Sequence, residues 1–147
     1  MSTRSRIAVA LPNGRFSSIY CHQDGYPEGV GQVLAEHYAT KDQALAILAL
    51  GDISRLRQRL APPDGVIHTF DNPLSCITVA YQRDRGNKGT RAVRSNNFTA
   101  LVAAAGECNA EYIYVFQEGR WQYVSVPWFT CAPLPTEADL IDVEVTA

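Results

Sequence analysis

Cys21, His22 and Asp24 place a thiol, an imidazole and a carboxylate within four positions, inside the run Ser18-Ile19-Tyr20-Cys21-His22-Gln23-Asp24-Gly25-Tyr26-Pro27. Such a set offers nucleophilic chemistry, in which imidazole lowers the thiol pKa and carboxylate orients the imidazole. The spacing opposes that reading. Neighbouring residues of a strand point to opposite faces, and a catalytic cysteine and its base are usually far apart in sequence. His37 and His68 are the other candidate bases, with no pattern that recommends either. A buried free cysteine beside a hydrogen-bonded histidine is the favoured alternative. Cys21, His22, His37 and Cys76 or Cys108 lack the paired short spacing of a zinc site, so no metal and no cofactor is expected. Asp24-Gly25 does not continue as a calcium loop, and Gly29-Val30-Gly31 lacks the lysine and hydroxyl of a phosphate loop.

The second group with chemical potential is basic. Arg83, Arg85, Lys88, Arg91 and Arg94 are interleaved with Gly86 and Gly89, and Asp84 is the one acid among them. Cations on a glycine-containing segment suit the phosphates of a nucleotide or a nucleic-acid backbone, and equally an acidic protein patch. A merely solvated loop is an even alternative. Arg83-Asp84-Arg85 is also compatible with an internal clamp in which an arginine holds Asp84 and positions it near Asp24-Gly25. Tyr81, Tyr112, Tyr114, Trp121, Tyr123, Trp128 and Phe129 supply aromatic faces, most of them explained as core.

These residues need a scaffold, and local patterns supply one. Residues 1–6 read as a mobile polar tail. Ile7, Val9 and Leu11 alternate as a strand, and Asn13-Gly14 is a hairpin signal leading to a second strand over residues 15–22. In that strand Phe16, Ser18, Tyr20 and His22 share one face, with Ser17, Ile19 and Cys21 on the other. Asp24-Gly25 then reads as a turn, with Gly25 supplying the positive φ and Pro27 opening a helix. Val30, Val33, Leu34, His37 and Tyr38 form its apolar stripe, which puts His37 on the buried face or its border. Thr40 with Gln43 predicts a capping box for a second helix, and Asp52 or Ser54 a cap for a third carrying Ile53, Leu56 and Leu60.

Pro62-Pro63-Asp64-Gly65 ends the helical region. Short strands are expected over residues 66–70 and 77–82, the basic segment 83–94 as a loop, and a helix capped by Asn96 or Asn97 with Phe98, Leu101, Val102 and Ala105 inward and Gly106 as its stop. Residues 111–117, apolar on both faces, suit a central strand, and Glu118-Gly119 turns into its partner, residues 120–126. Residues 130–147 read as an acidic tail to which Val143 and Val145 add at most a last strand. Hairpins, then helices, then strands make an α+β single domain: a mostly antiparallel sheet of five to six strands carrying three to four helices, on one face or around one edge.

At 147 residues, 46% hydrophobic, 19% charged and with net charge −2, the chain is of ordinary globular composition, and its charge does not by itself demand a nucleic acid or a membrane. The four cysteines at 21, 76, 108 and 131 are dispersed and follow no signal-peptide core, so reduced cytosolic thiols are expected. The run from Ser18 to Pro27, then Gly29-Val30-Gly31, Leu34, His37-Tyr38, Leu50-Gly51-Asp52-Ile53-Ser54 and Ala80-Tyr81-x-Arg83-Asp84-Arg85-Gly86, resembles a family of small phage and prophage proteins with no established activity.

That resemblance implies non-catalytic binding to a host protein or ribonucleoprotein complex, with inhibition of a bacterial defence system, in the manner of an anti-CRISPR protein, as the leading function. A nucleotide or signal-molecule binder using the basic segment is the second reading. A small cysteine enzyme at Cys21, His22 and Asp24 is the third. The binding residues expected are Arg83, Arg85, Lys88, Arg91 and Arg94, with Tyr20 and His22.

Overall fold

The structure is a computed structural model that describes residues 2–128 and 132–145. Among the described residues the chain folds as α+β around one mostly antiparallel sheet of eight strands, more than the five to six expected. The strands are β1 (Ser5–Ala10), β2 (Phe16–Cys21), β3 (Ile53–Arg55), β4 (Val79–Ala80), β5 (Val93–Ser95), β6 (Tyr112–Gln117), β7 (Arg120–Ser125) and β8 (Ile141–Asp142). Among the described residues four α-helices accompany them: α1 (Gln32–His37), α2 (Lys41–Ala49), α3 (Tyr81–Arg85) and α4 (Phe98–Glu107).

The sheet order is β4-β3-β2-β1-β6-β7-β8, and β5 pairs with the first half of β2 through Phe16–Ser95 and Ser18–Val93. β1 and β2 form the hairpin that Asn13-Gly14 predicts, with positive φ at both turn residues. β6 lies parallel to β1 on one side and antiparallel to β7 on the other, the central place its two apolar faces require.

Because both faces of β1 and β6 are apolar, both must be covered. α1 and α2 pack Leu34, Tyr38, Ala44, Ile47 and Leu48 against Ile7, Val9, Ile19, Cys21, Tyr114 and Phe116. On the opposite face α4 packs Phe98, Leu101, Val102 and Ala105 against Ala8, Phe16, Ile113 and Val115. The expectation of helices on one face or edge is therefore corrected to a layer on each side. The caps are those the sequence announces: Thr40 and Gln43 form the capping box of α2, and the Asn97 side chain accepts from Ala100 N at 2.8 Å.

Several local expectations fail for nameable reasons. Residues 3–6 are not a free tail: Gly25 N donates to Thr3 O, Glu111 N donates to Arg4 O, and Ser5 and Arg6 are buried in β1. Ile53, Leu56 and Leu60 do not form a third helix, because Ile53–Arg55 pairs with Cys21 and with β4 as strand β3. Arg55, Arg57 and Arg59 alternate along this segment, a period of two that Ile53 and Leu56 disguise as a period of three.

Residues 66–70 find no strand partner and stay irregular, while the start of the basic segment is the end of α3 and its last residues belong to β5. His37 is exposed, and its neighbour Tyr38 is buried instead. In the acidic tail, Ile141–Asp142 rather than Val143 and Val145 make the last strand, against β7. α4 continues one residue past Gly106. Phe129 and Cys131 lie outside the described residues.

Candidate functional site

The turn after β2 is built as a structural joint. Asp24, not Gly25, takes the left-handed conformation, with φ 57°. Gly25 is required for a different reason: a Cβ there would stand 2.8 Å from both Ser5 Cβ and Thr3 O. Val30 N donates to Asp24 O at 2.8 Å, and the buried Tyr114 hydroxyl donates to Gly25 O at 2.6 Å. Residues 27–31 then form a wide π-helical turn that leads into α1. The turn is thereby bolted both to the start of β1 and to the middle of β6.

The three reactive side chains of that stretch diverge. Cys21 is fully buried in the core under α1 and α2, its sulfur donating to Gln23 O at 3.5 Å. Burial pushes its thiol up to about 12, the reverse of what a nucleophile needs. His22 leaves the sheet on the other side, where its Nδ1 lies 2.6 Å from the Tyr20 hydroxyl. Burial, and then the nearby Arg4 guanidinium, lowers the pKa of His22. Asp24 faces Arg57 at 3.6 Å. Cys21, His22 and Asp24 do not converge on a common point. Neither alternative base is placed to serve the thiol: His37 sits beside Glu36 at the surface, and His68 is bound to Asp84.

The basic segment divides into three parts with different fates. Arg83 turns inward, its guanidinium donating to Asp84 Oδ1 at 2.9 Å, to Asp84 Oδ2 at 3.1 Å, to Thr78 O at 2.7 Å and to Leu60 O. The Asp84 side chain, only 4% exposed, also accepts from Ala80 N at 2.8 Å and from His68 Nε2 at 3.2 Å. Because Leu74 N donates to His68 Nδ1, the imidazole proton must reside on Nε2, facing Asp84. Burial by itself would raise the Asp84 pKa, but the Arg83, Ala80 and His68 donors outweigh it and hold the carboxyl below its ordinary value. The internal clamp expected of Arg83-Asp84 is present, and what it fastens is the irregular segment 60–78, not Asp24-Gly25.

Arg85 stays outside, its guanidinium carbon over two aromatic rings, 4.4 Å from the Phe70 ring centre and 5.1 Å from that of Tyr81. Lys88, Arg91 and Arg94 form the third part. They line an open hollow of about 820 Å³ together with Ser17, Leu50, Gly51, Gln82, Asn87 and the rest of residues 86–92. No Asp or Glu occurs in its lining. The strap that carries these cations is tied at each end. Asn87 N donates to Tyr81 O at 3.2 Å, Asp52 N donates to Thr90 O at 2.7 Å, and β5 pairs with β2. Gly51 permits the second tie: its φ is 75°, and a Cβ there would stand 2.3 Å from Thr90 O.

Of the other expected aromatic partners, Tyr112, Tyr114 and Tyr123 cluster on one another and Trp121 packs on Phe116, on the face covered by α1 and α2. Sequence reasoning missed two participants near the basic segment. Phe70 sits in a stretch whose pattern predicts a strand, and Arg4 falls in the predicted tail although it lies beside the Tyr20 hydroxyl. Alternating Arg4 and Arg6 before Ile7 carried the signal, since they continue the strand period.

Fold and geometry together define an α+β protein with a two-sided sheet and a carboxylate-free basic hollow on the β2 flank. Comparison of the chain with protein-family models, with curated proteins and with solved structures gives no match. Among the described residues no group of three or more His, Cys, Asp or Glu side chains is placed to hold a metal ion, and no helix is long and apolar enough to cross a membrane.

Proposed function

We propose that the protein acts by binding, and that the hollow under residues 86–94 receives the phosphates of its partner. The observation that carries this reading is the convergence of Lys88, Arg91 and Arg94 on one hollow whose lining contains no carboxylate. None of the three makes an ion pair among the described residues. Cations that are neither neutralised nor folded inward keep their attraction for phosphate oxygens. The buried, high-pKa Cys21 supports binding over thiol chemistry.

The setting we propose is a host ribonucleoprotein of a bacterial defence system, which presents such a phosphate backbone. The test is fluorescence anisotropy with a labelled single-stranded RNA at several salt concentrations. Wild type is expected to bind with an affinity that falls as salt rises, and the variant Lys88→Gln/Arg91→Gln/Arg94→Gln to lose about tenfold or more, with a shallower salt slope. Equal binding by wild type and variant overturns the reading.

The hollow's volume of about 820 Å³ also lies in the range of small-ligand sites and favours a nucleotide as the second reading. A rise in melting temperature with a mononucleotide, without RNA binding, selects it.

A further inference from the structure

On the other flank of α3 lies a second cleft, of about 300 Å³, that shares no lining residue with the basic hollow. Arg55, Arg85 and His22 are among its lining residues, and the lining too contains no Asp or Glu. Among the described residues neither arginine has a carboxylate within ion-pair distance.

Arg85 is held in a fixed pose. Its guanidinium lies over the Phe70 and Tyr81 rings, which are themselves 5.6 Å apart, and its Nε donates to Asn87 Oδ1 at 2.8 Å. The hydrogen bond uses Nε, and the two Nη groups remain as a pair of donors. His22 is fixed as well. Its Nδ1 lies 2.6 Å from the Tyr20 hydroxyl, with the Arg4 guanidinium nearby.

We infer that this cleft is a binding site for a small oxyanion, a terminal phosphate or carboxylate, gripped by the Nη edge of Arg85 with Arg55 as the second cation and His22 beside them. An arginine stacked on two rings and tethered through Nε has already lost the rotamer freedom that an anion would otherwise have to remove, and its paired N–H groups match two oxygens of one anion. The cleft's size suits an end group or a small molecule, not a nucleic-acid backbone.

The experiment is an NMR titration of the full chain at constant ionic strength, following the Arg85 Nε–Hε and His22 ring signals. Inorganic phosphate and benzoate are the two probes, and sodium chloride is the control. Saturable shifts of both signals with phosphate identify a phosphate site, and the same shifts with benzoate a carboxylate site. Arg85→Gln is expected to raise the Kd about tenfold or more, and Phe70→Leu, which keeps the charge and removes the stacking, about threefold. Arg55→Gln provides a second loss variant should Arg85→Gln fold poorly. Lys88→Gln/Arg91→Gln/Arg94→Gln is expected to titrate like wild type, so this site and the basic hollow stand or fall separately. No shift with either probe beyond that of chloride, or loss variants that bind as tightly as wild type, overturns the inference.

Discussion

Replacing Arg83 by methionine separates a structural arginine from a recognition arginine. The substitution keeps an unbranched stem and removes the guanidinium, so Asp84 Oδ1 loses its donor while Thr78 O and Leu60 O each lose one. Removing one partner of a buried ion pair typically costs about 3–5 kcal/mol. The Arg83 side chain is 27% exposed and Asp84 only 4%, so water can relieve part of the loss, and Ala80 N and His68 still serve Oδ2. The expected destabilisation is about 3 kcal/mol, which for a chain of this size corresponds to a drop in melting temperature of about 6–12 °C.

Urea unfolding followed by tryptophan fluorescence measures it, with Arg91→Met as the solvated control at less than about 0.5 kcal/mol. Arg83→Met/Asp84→Asn should be less destabilised than the sum of its single variants, because the second change relieves the carboxylate that the first strands. The pH dependence has a definite sign. Asp84 binds its proton less readily folded than unfolded, so its contribution is present above the ordinary carboxylate range and is lost as pH falls through the lowered folded value. Arg83→Met should move that acid loss to higher pH. A destabilisation below about 1 kcal/mol, the value for an exposed pair, would refute the assignment of Arg83 to the interior.

In native buffer near pH 8 the exposed Cys76 should be alkylated well before Cys21, whose thiol, buried and pushed up to about 12, is ionised in only about one molecule in 10⁴; equal rates by mass spectrometry refute the burial. Gly25→Ala should destabilise by about 1–3 kcal/mol, because its new Cβ meets Thr3 O and Ser5 Cβ at 2.8 Å, and chemical denaturation with an unchanged midpoint contradicts that close approach. His22 should titrate below 6.5 by NMR and rise when Arg4→Gln removes the neighbouring charge; since its folded pKa is the lower one, its contribution to stability is present above 6.5 and declines as pH falls through the folded value. A wild-type midpoint at or above 6.5 contradicts the burial and charge assigned to it.

The sequence by itself determined what short-range sterics and hydrogen bonds decide. The Asn13-Gly14 hairpin, the Thr40–Gln43 cap, the Asn97 cap with its Phe98, Leu101, Val102 and Ala105 face, and the doubly apolar β6 are each specified within a few residues, and each stands where its pattern puts it. The separation of Cys21 from His22 was legible too, because strand alternation is a local rule.

What tertiary structure decided is which partner a residue meets. Whether Ile53–Arg55 continues as helix or joins a sheet depends on β2 and β4 being there to pair with it. That α1 and α2 lie opposite α4 follows from β6 closing against β1, two segments more than a hundred residues apart in sequence. Among the cations of 83–94, alike in type and spacing, Arg83 is drawn inside by carbonyls from residues 60 and 78, Arg85 is caught by a ring at residue 70, and Lys88, Arg91 and Arg94 remain in the hollow. A guanidinium goes where unpaired oxygens or aromatic faces await it, and those arrive from distant parts of the chain only when the sheet is assembled.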